Sequence, residues 1–591
     1  MPPETDAPNV ALMRAPAEDC WYLFCQPLEV LQAARIEEIE PLMARLEQAL
    51  AGSELCAAGY LAYEAAGGFD PALKTRELLS IPLAWFGLYP PPLRLAEPPA
   101  APDADPGPLQ SWQPSADRAE YDRAIAAIKE YIARGATYQV NYTFRLNAPF
   151  TASPYAAFLE LARAQNAPYA AYLNTPEFAI CSASPELFFQ LDGEHIHSIP
   201  MKGTAARGRT LAEDREKRDW LRASKKDQAE NVMIVDMVRN DIGRIARTGS
   251  VRVPELFGLE KFPTVWQMVS TVSGETGAGY AEIFRALFPP ASITGAPKPR
   301  TMQIIAELES KPRGVYTGAL GFILPRRKAQ FNVAIRTLLV DRRSGRAEYG
   351  VGGGITWDSL DTAEYEECRA KARILSTRIP PFHLLESLRW SPAEGYFLRE
   401  HHLRRLSAAA EYFAYPLDLE EVRRELERLA QGFDPRQQAA RKVRLLVDRR
   451  GGITLQAETL PTPPTFAPLA ARVCLAAAPV DSSDPFLYHK TTHRAVYDLA
   501  RREAGEGWDD VLLYNERGEL TETCTANIVL ELDGVCLTPP VSSGLLAGTY
   551  RGWLLEQGRL EERVLRPEDL ARGRLFLINS VRKERPALLE K

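Results

Sequence analysis

Ser198-Ile199-Pro200-Met201-Lys202-Gly203-Thr204 follows an alternating, strand-like run and sets one lysine between a proline and a glycine. It reads as a turn. Gly203 lets the backbone bend with no Cβ to clash, and Pro200 stiffens the approach, so the Lys202 amine is presented from a fixed backbone and not from a mobile surface arm. That makes Lys202 a candidate nucleophile. In isolation a lysine-glycine pair is more often a solvated turn, so the surrounding blocks decide the reading.

Upstream stands Cys181-Ser182-Ala183-Ser184-Pro185-Glu186-Leu187-Phe188. Downstream come Ala229-Glu230-Asn231-Val232-Met233-Ile234-Val235-Asp236-Met237-Val238-Arg239-Asn240-Asp241 and Thr294-Gly295-Ala296-Pro297-Lys298. Arg313-Gly314-Val315-Tyr316-Thr317-Gly318, Ala334-Ile335-Arg336-Thr337 and the run Gly352-Gly353-Gly354 leading to Glu364-Tyr365-Glu366-Glu367 complete the set. In this order the blocks resemble the chorismate-utilising enzymes, over about residues 117 to 375. Within that family the P-x-K-G-T form resembles aminodeoxychorismate synthase component I, whereas anthranilate synthases carry alanine in place of the lysine.

Composition bounds the rest. A chain of 591 residues is long enough for several domains. Its 46% hydrophobic and 25% charged residues are those of an ordinary globular protein. A net charge of -6 with no basic stripe argues against nucleic acid. No apolar run of membrane length and no leader pattern is found, so a cytoplasmic enzyme without membrane attachment is expected. The eight cysteines are scattered, with no C-x-x-C pair, and are expected to be reduced thiols.

Along the chain, Pro27 to Leu50 shows helical spacing and Tyr60 to Glu64 alternates as a strand. Pro90 to Pro108, dense in proline and alanine, reads as a surface connection. Asp117 to Arg134 is a helix with Tyr121, Ile125, Ile128 and Ile132 on one face, ended by Gly135. Strands are expected at 138–146, 186–191, 315–324, 331–340 and 347–351, and helices near 227–238 and 301–309. The pattern breaks at Arg378-Ile379-Pro380-Pro381, which marks a boundary. We therefore expect an α+β protein in three parts: an N-terminal region (1–110) packing on a chorismate-binding synthase domain (111–378), then a second domain (382–591). The resemblance implies a two-sheet antiparallel sandwich with helices for the first half.

The resemblance also assigns residues. It implies that Lys202 attacks the chorismate ring at C2 while the C4 hydroxyl leaves, after which ammonia adds at C4 and expels the lysine. Burial and a nearby cation would favour the unprotonated amine. Glu186, beside Leu187, Phe188 and Phe189, is the candidate general acid, its carboxyl kept protonated by desolvation. Glu230 and Glu367, with Glu364 nearby, match the family's magnesium ligands. Magnesium keeps several waters, so two carboxylates suffice. Tyr316 and Arg336 match positions that hold a substrate carboxylate. Gly352 and Gly353 lack dinucleotide-fold spacing and are expected to line an anion site with backbone N–H groups. Thr294 and Gly295 stand at the pocket edge, though a plain tight turn is the alternative. No cysteine has the glycine-flanked setting of a glutaminase, so a separate glutamine amidotransferase subunit or free ammonia must supply nitrogen.

From residue 382 onward, His402-Leu403-Arg404-Arg405-Leu406, His489-Lys490-Thr491-Thr492-His493-Arg494, Leu520-Thr521-Glu522-Thr523-Cys524-Thr525-Ala526-Asn527-Ile528 and Gly544-Leu545-Leu546-Ala547-Gly548-Thr549-Tyr550-Arg551 resemble the fold class IV pyridoxal-phosphate enzymes. Two α/β subdomains are implied. So are a lysine for the cofactor's aldehyde carbon (Lys490), an acid for its pyridine nitrogen (Glu522), and phosphate and ring contacts from Arg405, Gly548, Thr549 and Asn527. His489 and His493 lie at i, i+4 but outside an H-E-x-x-H setting, which disfavours metal. A homodimer through this domain is left open. Together the halves resemble successive steps of folate synthesis, chorismate to aminodeoxychorismate and then to 4-aminobenzoate with loss of pyruvate. An anthranilate or isochorismate activity in the first half, and an aminotransferase or a non-catalytic scaffold in the second, stand as rivals.

Overall fold

The structure is a computed structural model that describes residues 5, 7–101, 112–375, 380–434, 439–461 and 470–590. The chain forms two compact units. The first comprises Met1–Ala206 and Arg218–Ile379, the second Arg207–Lys217 and Pro380–Lys591. The boundary motif at 378–379 and much of the proline-rich stretch (102–108) lie outside the described residues.

The first unit is built on two antiparallel sheets, each of ten strands. One runs Gly295–Ala296, Gln139–Pro149, Arg346–Ile355, Thr337–Asp341, Phe178–Ser184, Tyr169–Asn174, Val10–Ala15, Cys20–Phe24, Leu93–Leu95, with Gln113–Pro114 added on Gln139–Pro149. The other runs Met201–Ala206, Val265–Glu275, His195–Ile199, Leu187–Asp192, Lys328–Val333, Ala319–Leu324, Cys56–Leu61, Ala84–Tyr89, Glu29–Ala33, with Arg252–Lys261 added on Val265–Glu275. Alternating apolar side chains from the inner faces meet between the sheets, as in the edge-on contacts of Tyr22 with Phe322 and Tyr60 with Phe178. Strands from residues 10 to 95 enter both sheets.

Local chemistry explains the elements that flank the site. The helix Arg118–Ala133 starts at a capping box, in which Asp117 accepts from the Glu120 N–H and Glu120 accepts from the Asp117 N–H. Ser224 caps the helix Lys225–Gly243 that carries Glu230.

Several expectations are corrected. Residues 29–33 form a strand and the helix starts only at Ile39, because Glu29–Ala33 pairs with Ala84–Tyr89 and tertiary pairing overrides the helical spacing. The expected strand 331–340 is two strands, Lys328–Val333 and Thr337–Asp341, which belong to different sheets, and Arg336 between them takes φ +52°. The stretch 315–318 turns, and the strand begins at Ala319.

The second unit has two sheets of its own. Leu384–Ser391, Gly395–Tyr396, Arg441–Val447 and Ile453–Thr459 form a four-stranded antiparallel sheet that packs with the helices Arg399–Phe413 and Leu419–Gln431. An eight-stranded mixed sheet, with Ala471–Leu475 parallel to both of its neighbours, carries the helices Ala495–Ala504 and Thr549–Glu556. The eight cysteines are all unbonded. Among the described residues no helix is long and apolar enough to cross a membrane.

Candidate active sites

In the first unit Lys202 lies on a strand, Met201–Ala206, and not in the expected turn. The pairing with Val265–Glu275 shifts by one residue between Met201 and Thr204, so Lys202-Gly203 is a bulge that re-aims the side chain. Gly203 sits at φ +98°, and a Cβ there would lie 2.9 Å from that of Asp227, so both conformation and space require glycine. The Lys202 carbonyl accepts from Asn231 Nδ2 (3.2 Å), and Asn231 in turn accepts from the Ser270 hydroxyl (2.6 Å).

The Lys202 side chain is buried. Desolvation lowers its pKa and Lys371 pushes the same way, while Glu230, Glu367 and Glu186 oppose. Glu186 immediately precedes the strand Leu187–Asp192 and accepts from the Ser292 hydroxyl (2.6 Å). Burial pushes its carboxyl up to about 7. Beside it is a cavity of about 20 Å³ lined by Ser198, Asp241 and Ser292, room for one water.

Gly352, Gly353 and Gly354 belong to the strand Arg346–Ile355, paired with Thr143, Tyr142 and Asn141. The pairing with Thr337–Asp341 on the other edge stops at Tyr349, so the glycines lie where that edge has no ladder partner among the described residues, and they also leave out side chains. A Cβ on Gly354 would lie 2.6 Å from Lys202 Nζ, one on Gly353 3.1 Å from Glu364 Oε2, and one on Gly350 2.1 Å from the Tyr316 ring. The Tyr316 ring fills that space, with the Arg145 guanidinium 5.0 Å from its centre. Thr294 donates to the Ala291 carbonyl (3.1 Å), and its own carbonyl accepts from the Asn141 N–H (2.8 Å). Gly295, at φ +147°, pairs with Val140 in a short strand and not a tight turn, and a Cβ there would lie 2.0 Å from the Gln139 carbonyl.

Glu364 and Glu367 share the helix Asp361–Ala372. Burial raises the carboxyls of Glu230 and Glu364, and Glu364 adds to the rise at Glu230 as Glu367 does at Glu364. Glu367 is held low by Lys371, whose Nζ is 2.7 Å from its carboxylate and also donates to the Gly352 carbonyl (2.8 Å). Arg336 donates to the Lys371 carbonyl (2.6 Å). Among the described residues no three His, Cys, Asp or Glu groups are gathered as a ready-made metal cage. The donor chemistry still fits magnesium, which takes one or two carboxylates with water and substrate. The half-buried, mutually repelling Glu230 and Glu364 are such donors.

Two residues escaped the sequence reading. Gln139 is fully buried, and neither end of its amide has a partner among the described residues. A Cβ on Gly354 would meet its Nε2 at 3.0 Å, next to Lys202. The signal was present: Gln139, Asn141, Thr143 and Arg145 alternate along one strand, all buried. Lys371 also went unread, as one cation among many on an acidic helix.

In the second unit a cavity of about 810 Å³ is lined by Lys490, Glu522, Asn527, Arg405, Gly548 and Thr549, all six of the expected contacts. Burial lowers Lys490 to about 8 and raises the Glu522 carboxyl to about 7. Glu522 accepts from the Tyr497 hydroxyl (2.8 Å), the Leu546 N–H (3.2 Å) and Asn527 Nδ2 (3.1 Å). Asn527 also donates to the Leu546 carbonyl (2.9 Å), so both its amide hydrogens orient neighbours. Arg405 grips Glu386 in a fork (2.9 and 2.7 Å) and donates to the Ala547 carbonyl (3.2 Å). Burial opposes the charge on Glu386, yet Arg405 and His402 hold it at about 2. The helix Thr549–Glu556 begins at Gly548 with no side-chain cap, leaving N–H donors at the cavity wall beside the Thr549 hydroxyl. A deprotonatable lysine, an opposed carboxyl and an anion-binding helix end are a donor set that fits pyridoxal phosphate.

Residues 9–377, more than half of the chain, match the profile of the chorismate binding enzymes. The chain belongs to that family. Residues 383–588 match amino-transferase class IV. Aminodeoxychorismate synthase component 1 of Bacillus subtilis (strain 168) is 42% identical over 254 residues, covering 43% of this chain and 54% of that protein. The protein of the same name from Escherichia coli (strain K12) is 42% identical over 258 residues, covering 43% and 56%. The chain thus spans about half the length of the curated relatives it matches. The structure of anthranilate synthase component I from Streptococcus pneumoniae TIGR4 aligns over 63% of this chain and 93% of that one, at 22% identity and a TM-score of 0.54, and so shares the fold of the first unit.

Proposed function

We propose that this chain makes 4-aminobenzoate from chorismate in two steps, amination in the first unit and elimination of pyruvate in the second. The observation that carries the reading is Lys202. Its buried amine, lowered in pKa, lies within electrostatic reach of Glu186, whose buried carboxyl is raised to about 7.

In the first step the Lys202 amine bonds to ring carbon C2, both ring double bonds shift, and the C4 hydroxyl departs as water with the proton of Glu186. Ammonia then bonds to C4, both double bonds shift back, the Lys202 amine leaves, and the proton that ammonia sheds restores Glu186. The net change is exchange of hydroxyl for amino with release of water. Arg336 and Tyr316 hold a substrate carboxylate and Gln139 offers its unpaired amide to the ring substituents. Glu230, with Glu364 and Glu367, would hold magnesium, which supplies positive charge opposite the substrate's carboxylates. The relatives named component 1 support a separate subunit as the ammonia source.

In the second step the Lys490 amine takes the proton from the amine-bearing ring carbon. Bound pyridoxal phosphate supplies the electron sink. Glu522, held by Tyr497 and Asn527, would be the acid partner of the cofactor's ring nitrogen, and Arg405, Gly548 and Thr549 would hold its phosphate. Loss of the enolpyruvyl group makes the ring aromatic, which favours elimination over transfer of the amino group.

The test is product analysis. Purified protein given chorismate, ammonium, magnesium and pyridoxal phosphate, with no 2-oxo acid, is expected to yield 4-aminobenzoate and pyruvate. Formation of 2-aminobenzoate would overturn the first assignment, and strict dependence on added 2-oxoglutarate the second.

A further inference from the structure

Lys490 lies between elements. It follows the short turn of helix Pro485–Leu487 and precedes Thr491, which bridges to Leu384. Its backbone carbonyl accepts from the Leu385 N–H (3.0 Å), which grips it from one side. On the other side stands its neighbour His489, stacked on Tyr412 with ring centres 4.1 Å apart and edge-on to Phe413 at 5.1 Å. His489 Nε2 is 3.1 Å from the carbonyl of Arg209. Burial keeps this imidazole neutral, at about 4, so Nε2 carries the proton that this carbonyl accepts.

Arg209 belongs to Arg207–Lys217, a part of the second unit that comes from within the chorismate-binding half of the sequence. The segment is locked in place. Arg207 and Asp214 form a two-pronged pair (2.6 and 2.9 Å) with side chains 7% and 1% exposed. The Gly208 N–H also donates to Asp214 (3.0 Å), and a Cβ on Gly208 would lie 2.1 Å from the Asp214 nitrogen. Arg207 donates to the Tyr412 carbonyl (2.9 Å) and lies 4.4 Å over its ring, and the Tyr412 hydroxyl donates to the Gly208 carbonyl (2.7 Å). A buried bidentate pair with its hydrogen bonds satisfied holds one geometry, and a catalytic group gains from such support.

We propose that Arg207–Lys217 is a positioning element for Lys490, fixing the neighbouring His489 ring through the Arg209 carbonyl and Tyr412 and so bracing, from the other half of the sequence, the backbone that presents Lys490 to the cavity. This rests on the reading of Lys490 as the cofactor lysine, which is tested separately: borohydride reduction of full-length protein with pyridoxal phosphate must leave the cofactor on the Lys490 peptide, and its absence overturns both statements.

The positioning role is tested in full-length variants by titrating pyridoxal phosphate and by following the absorbance of the bound cofactor against pH. His489→Phe keeps the stacked ring and loses the N–H, Tyr412→Phe frees the Gly208 carbonyl, and His489→Gln restores a donor. The two phenylalanine variants are expected to bind pyridoxal phosphate at least tenfold more weakly and to shift the absorbance midpoint, His489→Gln is expected to recover most of the loss, and chorismate consumption is expected to stay within twofold. Affinity and midpoint unchanged in His489→Phe, or no recovery in His489→Gln, would overturn the proposal. Should Tyr412→Phe lose chorismate consumption as well, the two His489 variants decide.

Discussion

Burial acts on Glu186 and Lys202 in opposite senses: it raises the carboxyl and lowers the amine, biasing both toward the neutral form that a general acid and a nucleophile need. Two outcomes follow. Amination should fall as pH rises through about 7, where Glu186 loses its proton, and Glu186→Gln should remove that limb and lower the rate by about 10²- to 10⁴-fold, measured as initial rates against pH. The second concerns stability. A carboxyl with a raised folded-state pKa binds more protons folded than unfolded, so its contribution is present below the unfolded value and is lost as pH rises through the folded one. Glu64, Glu186 and Glu522 are each raised to about 7. Denaturant midpoints should therefore decline between about pH 4.5 and 7, less steeply in Glu186→Gln. An unchanged slope in that variant would show that Glu186 is not the titrating group.

At the scale of elements, the glycine strand Arg346–Ile355 separates packing from chemistry within a few residues. Gly350→Ala drives a Cβ into the Tyr316 ring, which packed surroundings cannot yield, and should destabilise by ~1–3 kcal/mol in urea melts. Gly354→Ala meets the mobile ends of Lys202 and Gln139, so it should leave stability nearly unchanged and suppress amination. A like difference marks the helix Lys298–Leu308 and the turn after it. Glu309, buried and paired with Arg313 and with the N–H and hydroxyl of Thr143, would keep only the more distant Arg145 (3.8 Å) as a cation in Arg313→Leu, at a cost of ~3–5 kcal/mol. Helices such as Arg118–Ala133 were legible because capping and apolar spacing are local. The break at Arg336 was not, because its left-handed backbone is imposed by two strands departing to different sheets.

For the whole molecule, each unit carries a complete set of its own candidate catalytic groups. Lys202→Ala should abolish chorismate consumption and spare the cleavage of added aminodeoxychorismate, and Lys490→Ala should do the reverse. A mixture of the two variants should then form 4-aminobenzoate, detected by chromatography, through an intermediate released to solution. A mixture that forms none would mean that the intermediate is not shared. Chelation of magnesium should stop the first reaction alone.

The order of short motifs pointed to the proposed chemistry, because the candidate groups Lys202, Glu186, Lys490 and Glu522 each stand in a short, recognisable block of sequence. Alternation and capping determined most helices and strands for the same local reason. Only the tertiary structure decided what those groups face. Gln139 and Lys371 are unremarkable in the sequence; strand pairing sets Gln139 beside Lys202, and helix packing brings Lys371 to the Gly352 carbonyl. The protonation biases come from burial, a property of the folded interior and not of any stretch. That Arg207–Lys217 packs on Tyr412 and His489 was invisible for the same reason: these contacts join residues 204 and 280 positions apart, which no local pattern encodes.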